Sequence, residues 1–215
     1  MIDPTPPSNP AIFSMRASFR SGLIGSDFSF QDLRGFDLSG ANLTSSNFEG
    51  ARLDGAKFHN CVMTNSSFRR ASCHETDFTG ATLIKTDFSL ANLHLSDFTD
   101  ADVAASDFTG AYMKATLFLR TVAHNCHFRR VTAKNALFIN SDLRKCNFVG
   151  AELLGARFNG TKVWGIRNLD KAIYYWWLSP YGGPPSYEER PGWQRIDRSV
   201  LGGMSLQENA ARNRG

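Results

Sequence analysis

His124, Asn125, Cys126 and His127 crowd two imidazoles and a thiol into one short stretch. Imidazole and thiolate are the donors that a zinc ion takes. A second pair, His74 and His94, stands twenty residues apart, and the other thiols are Cys61, Cys73 and Cys146. Serine, threonine and aspartate are abundant and could in principle supply nucleophiles and acids. No phosphate-binding glycine loop, nucleophile elbow or coherent carboxylate dyad stands out among them. Whether any of these groups can meet depends on the backbone that carries them.

That backbone is written in a period of five. From Phe28 to Val163 a large apolar residue recurs at every fifth position, as in Phe28, Leu33, Leu38, Leu43, Phe48 and Leu53, diluted only by Cys73, Ala123 and Ala133. Two residues before it sits a small residue, as in Ala41, Ala51, Ala81, Ser96 and Ala151, and two residues after it there is often Gly. Five matches neither a helix at 3.6 nor a strand at 2. It suits a chain that turns a corner in each repeat, with two inward residues per side. Four sides make a coil of twenty residues, and successive coils stack as parallel ladders about 4.8 Å apart. The 28 repeats then give seven coils, a rod roughly 34 Å long.

The run Ala41-Asn42-Leu43, with Ala91-Asn92-Leu93 and Ala101-Asp102-Val103, resembles the pentapeptide-repeat family over about 140 residues without a register break. The resemblance implies an all-β fold, a right-handed quadrilateral parallel β-helix (β-solenoid), here with terminal caps. The expected organisation is an N-terminal extension and cap over 1–25, the β-helix over 26–165, a capping helix over 166–180 and an aromatic tail over 181–215. The N-terminal cap rests on Ile12, Met15, Phe19 and Leu23 at helical spacing. The C-terminal one rests on Leu169, Ile173, Trp176 and Trp177, stopped by Pro180.

Sorting by twenty gives the core. One wall centres on Phe28, Phe48, Phe68, Phe88, Phe108, Phe128 and Phe148, and the opposite wall on Leu38, Phe58, Phe78, Phe98, Phe118, Phe138 and Phe158. The walls between them are aliphatic or smaller. Such a core is filled and leaves no room for a ligand. The same sorting disposes of the chemistry. Cys126 points inward and His124 and His127 outward, so they do not converge. His74 and His94 stack on neighbouring coils with no third ligand in sight. No cofactor, metal or catalytic centre is expected, and the chain is not expected to be an enzyme. All four cysteines fall on inward positions, which suits reduced thiols in a cytoplasmic or other reducing compartment.

The chain carries a net charge of +4 and a pI of about 9.0. It has no run of eighteen apolar residues, so no membrane span is expected. The Pro-rich stretch Met1–Pro10 lacks the apolar centre of a signal peptide, and Asp3 with the prolines argues against an organelle presequence. Charge is uneven along the rod. Between 71 and 110 lie Glu75, Asp77, Asp87, Asp97, Asp100, Asp102 and Asp107 against Lys85 alone; from 111 to 165 bases predominate, among them Lys114, Arg120, Arg129, Arg130 and Lys134. Either the aspartates are a turn-forming habit of the motif, or the rod meets a partner of both signs.

One wall breaks the polar pattern. Leu117, Leu119, Leu137 and Ile139 flank Phe118 and Phe138 and face outward, with Tyr112 and Val122 round the neighbouring corners; elsewhere those positions hold residues such as Asp77, Thr79, Asp97 and Thr99. A cluster this apolar is expected to be covered. Its cover is either the chain's own tail, through Trp176, Trp177 or Trp193, or a protein partner, including self-association. The expected function is a non-catalytic interaction or assembly module. The resemblance implies a second reading, because some bacterial members mimic duplex DNA and act on DNA gyrase or topoisomerase IV, protecting against poisons. This chain departs from them in its basic second half and its lack of loop insertions. Nucleic acid is not the expected partner: Arg69-Arg70 and Arg129-Arg130 share a wall, but no stacking aromatics interleave with them. Tyr174, Tyr175, Trp176 and Trp177 suit peripheral membrane contact as well as a cap, and capping is the expectation.

Overall fold

The computed structural model of the chain describes residues 23–167. Each pentad takes the same path. The small residue and the large residue point inward, and the residue between them faces out and bridges to the next coil. A two-residue turn follows, and its second residue has positive φ throughout, at Gly and non-Gly residues alike. In most turns the amide three residues on closes the corner onto the central carbonyl, as Ser26 N does on Leu23 O at 3.2 Å. This is the type II pattern, and it explains why Gly recurs there.

The coils are tied by parallel pairing at an offset of twenty, from Asp27 with Asn47 to Asn147 with Arg167. Three backbone bonds recur per wall: Phe28 N to Asn47 O at 2.7 Å, Asn47 N to Ser26 O at 2.9 Å, and Phe30 N to Glu49 O at 2.8 Å. The four-sided parallel β-helix is therefore regular from Leu23 to Arg167. No helix occurs among the described residues. The expected caps and tail, apart from the coil residues Leu23–Gly25 and Ile166–Arg167, lie outside the described residues.

The two Phe walls meet in the core. Rings on one wall stack coil on coil, as Phe88 on Phe108 at 5.1 Å and Phe98 on Phe118 at 4.9 Å between centroids. That repeat is the ladder spacing itself. Across the core the two ladders meet edge to face, as Phe88 with Phe98 at 5.5 Å and 87°. Both Phe88 and Phe98 are fully buried. Burial of each such ring contributes about 2–3 kcal/mol gross, and the edge-to-face geometry aligns ring edges with ring faces of opposite charge.

The inward serines and threonines are satisfied within the wall. The hydroxyl of Ser96 donates to Cys73 O at 2.7 Å, and that of Thr86 to Met63 O at 2.9 Å. Cys61 makes the same contact to Leu38 O at 2.9 Å. No buried side-chain nitrogen or oxygen lacks a partner among the described residues.

Candidate interaction wall

The corner after Phe118 and Phe138 departs from the repeat. No amide closes these corners onto Phe118 O or Phe138 O, and the wall pairs over three residues as β1 (Leu117–Leu119) and β2 (Leu137–Ile139) before the chain turns at Arg120 and Asn140, whose φ stays positive. The strands are parallel, with Leu117 opposite Leu137 and Leu119 opposite Ile139. Two inward hydroxyls lie at these corners. Thr121 Oγ1 donates to Phe98 O at 2.7 Å and approaches Leu119 O at 3.4 Å. Ser141 Oγ bonds Phe118 O, approaches Ile139 O at 3.2 Å, and accepts from Thr121 N at 3.2 Å. The Thr121 amide is thereby bonded to a side chain of the neighbouring coil.

Because side chains alternate along a strand, Phe118 and Phe138 point into the core while Leu117, Leu119, Leu137 and Ile139 share the outer surface. All four are half-buried. Tyr112 and Val122 stand on the flanking walls, 41% and 37% exposed. The structure thus gathers four of the predicted residues on one flat wall and sets two beside it. Trp176, Trp177 and Trp193 lie outside the described residues.

Charge frames this wall. On the coil before it Asp97 faces out, its Oδ1 accepting from Thr99 N at 2.8 Å. On the coil after it Arg157 is exposed, and its side chain has no ion pair among the described residues. At the corner Arg120 reaches back one coil to Asp100 in a bidentate pair, at 2.7 and 2.6 Å. The hydrogen bond and charge of Arg120 hold the Asp100 carboxyl below its usual range.

The aspartates of the acidic stretch have a structural task. Asp77, Asp87, Asp97, Asp102 and Asp107 each accept from the backbone amide two residues on, at 2.8 to 3.0 Å. These are Asx turns, which an Asn performs equally well at Asn42 and Asn92.

Residues that looked like ligands do not assemble into a site. His74 and His94 stack at 5.0 Å. One ring nitrogen of His94 is spent on Lys114 O at 2.8 Å. Cys126 is buried and donates to Val103 O at 3.0 Å, while His127 is exposed. No group of three metal-binding side chains occurs among the described residues. Sequence reasoning passed over Trp164, 57% exposed with Lys145 Nζ 5.6 Å above its ring, and Leu154, 41% exposed. Their outward positions in the five-residue register were the available signal.

Comparison with known sequences agrees with this architecture. "Pentapeptide repeat region" matches residues 52–128, and "Pentapeptide repeats (8 copies)" matches 23–60 and 126–165. The chain belongs to the pentapeptide-repeat family. No curated protein sequence matches it significantly. Among solved structures it is similar to HetL, a pentapeptide repeat protein involved in heterocyst differentiation regulation in the cyanobacterium Nostoc sp. strain PCC 7120. Identity is 18%, over 74% of this chain and 95% of that one, with a TM-score of 0.36. It is also similar to QnrB1, a plasmid-mediated fluoroquinolone resistance protein, at 18% identity over 70% and 82% of the two chains and a TM-score of 0.46. A pentapeptide repeat protein of the Arabidopsis thaliana thylakoid lumen matches at 26% identity over 71% and 72%, with a TM-score of 0.21. No helix among the described residues is long and apolar enough to cross a membrane.

Proposed function

We propose that the protein is a non-catalytic interaction module that docks a protein surface through the wall of β1 and β2. The observation that carries this reading is the contiguous apolar group Leu117, Leu119, Leu137 and Ile139, on a wall whose other outward positions, such as Asp77, Thr79, Asp97, Thr99 and Arg157, are polar or charged. Half-buried leucines on a rigid wall offer area at little cost in side-chain order, which favours association. The filled core leaves recognition to the outer walls.

The reading as a DNA-like modulator of topoisomerases has less behind it. It rests on the acidic stretch, and most of those carboxylates are accounted for by the turns they cap. The test of the interaction reading is Leu117→Glu combined with Leu137→Glu. Partner recovery and self-association should both fall while the thermal transition survives. Unchanged association in a folded double variant would remove the wall from consideration.

A further inference from the structure

The wall has a symmetry of its own. Going outward from the line between β1 and β2, the first step in each direction meets Leu117 or Leu137, and the second meets Asp97 or Arg157, because Asp97 pairs with Leu117, Leu117 with Leu137, and Leu137 with Arg157 along one ladder. The parallel column on the same wall runs Thr99, Leu119, Ile139, Asn159. Each column is apolar at its centre. The first carries an anion at one end and a cation at the other, equally far from the middle.

Resting on the interaction reading above, we infer that the occupant of this wall is a second copy of the chain, packed face to face with its rod antiparallel. A two-fold axis in the contact plane, crossing the rod between β1 and β2, sets Leu117 opposite Leu137 of the second copy and Leu119 opposite its Ile139. The same operation sets Asp97 opposite Arg157 of the second copy, twice over. A two-fold axis along the rod through the middle of the wall would instead exchange the two columns, setting Asp97 opposite Thr99 and Arg157 opposite Asn159 of the second copy and leaving both charges unpaired. Only the antiparallel arrangement brings the opposite charges together, so charge complementarity selects it. The contact is isologous and closed, which is the commonest form of homo-oligomer. It covers one wall of a few coils, short of the roughly 800 Å² per partner of a standard interface. The dimer is therefore weak and concentration-dependent.

Sedimentation equilibrium of the full chain tests this directly. The wild type should shift from monomer to dimer as concentration rises through the micromolar range and beyond. Asp97→Arg and Arg157→Asp should each weaken dimerisation by about tenfold or more, because each opposes like charges at both ends of the contact. An equimolar mixture of the two variants should recover dimer to near the wild-type level, since every end of a mixed pair then brings opposite charges together. Asp97→Asn, which keeps the acceptor for Thr99 N, should weaken dimerisation less than Asp97→Arg. Should Asp97→Arg fail to fold, Arg157→Asp carries the test, because its side chain makes no hydrogen bond or ion pair within the described residues. A wild type that stays monomeric to millimolar concentration overturns the inference, and so does a mixture no better than its components. If the charge variants behave as wild type while the two Leu→Glu changes still abolish recovery of another protein, this inference fails and the interaction reading stands.

Discussion

Thr86 Oγ1 lies 2.9 Å from the carbonyl oxygen of Met63, a partner 23 residues earlier in the chain but only one step away along the coil. The same contact recurs from Ser66 to Leu43 O and from Thr116 to Leu93 O. An inward hydroxyl thus does what the period of five requires of a small residue, and also stitches one coil to the previous one.

Thr86→Val keeps the shape and removes the donor. Met63 O retains its contact from Ser66 N at 3.2 Å, so the loss is one neutral hydrogen bond, about 1 kcal/mol. Chemical denaturation should show a lowered midpoint with an unchanged slope. Thr86→Ser keeps the donor but loses a buried methyl, itself worth about 0.8 kcal/mol, so the hydroxyl is isolated by comparing Thr86→Ser with Thr86→Ala. If the serine variant were no more stable than the alanine one, the hydroxyl would have no part in coil stacking.

The Phe ladders predict a gradient along the rod. Phe98 is fully buried, stacked between Phe78 at 4.8 Å and Phe118 at 4.9 Å, with Phe88 and Phe108 edge-on. Phe158, on the last described coil, is only half-buried and stacks on Phe138 from one side at 5.1 Å. Phe98→Ala should cost about 3–5 kcal/mol. Phe158→Ala should cost distinctly less. Hydrogen exchange should follow the same order, because a solenoid repeat draws its stability from its immediate neighbours. Equal losses at the two positions would argue against nearest-neighbour control.

Most of this architecture was legible because a five-residue register leaves few choices. Once Phe88 and Phe98 are assigned inward, Leu117 and Leu119 must straddle Phe118 on the outside. The edge-to-face crossing of the ladders was not legible, since it depends on ring orientation that spacing does not encode. Nor was the opened corner of β1 and β2. Thr121 and Ser141 read as ordinary small inward residues, and spacing does not tell which corners close their hydrogen bond. The aspartates could be read as turn formers or as a recognition surface, and their contacts to the amides of Thr79, Thr99 and Thr109 account for the former. The Arg120–Asp100 pair follows from the period of twenty, but both residues occupy turn positions, where sequence alone does not fix side-chain direction.

Ala105 holds φ at 59° with an exposed methyl. Such a conformation costs an L-residue about 1–2 kcal/mol. Ala105→Gly removes that cost and adds roughly 0.4–1 kcal/mol of chain entropy to the unfolded state. The net effect is a gain of a few tenths to about 1 kcal/mol. Thermal denaturation should show a modestly raised midpoint. The reverse change at Gly50 should do harm, because an L-residue there must hold φ at 63° and the exposed Phe30 ring must swing aside for its Cβ. A destabilised Ala105→Gly would mean that the turn is not under strain.

Burial makes the thiols guards against alkali. Desolvation pushes Cys61 up to about 11, against backbone hydrogen bonds that act the other way, and burial raises Cys73 and Cys126 as well. A thiol whose folded pKa exceeds its unfolded one binds its proton more tightly in the native state. Its contribution is fully present below the ordinary value of 9.0 and is lost as pH rises from there through about 11. Across that window each such thiol steepens the loss of stability by up to about 1.4 kcal/mol per pH unit. At pH 8 a disulfide reagent should leave the native thiols untouched and react with them on unfolding. Cys61→Ser preserves the donor to Leu38 O without the titration, so its stability should fall less steeply between pH 9 and 11. An identical slope in the serine variant would show that Cys61 does not couple folding to pH.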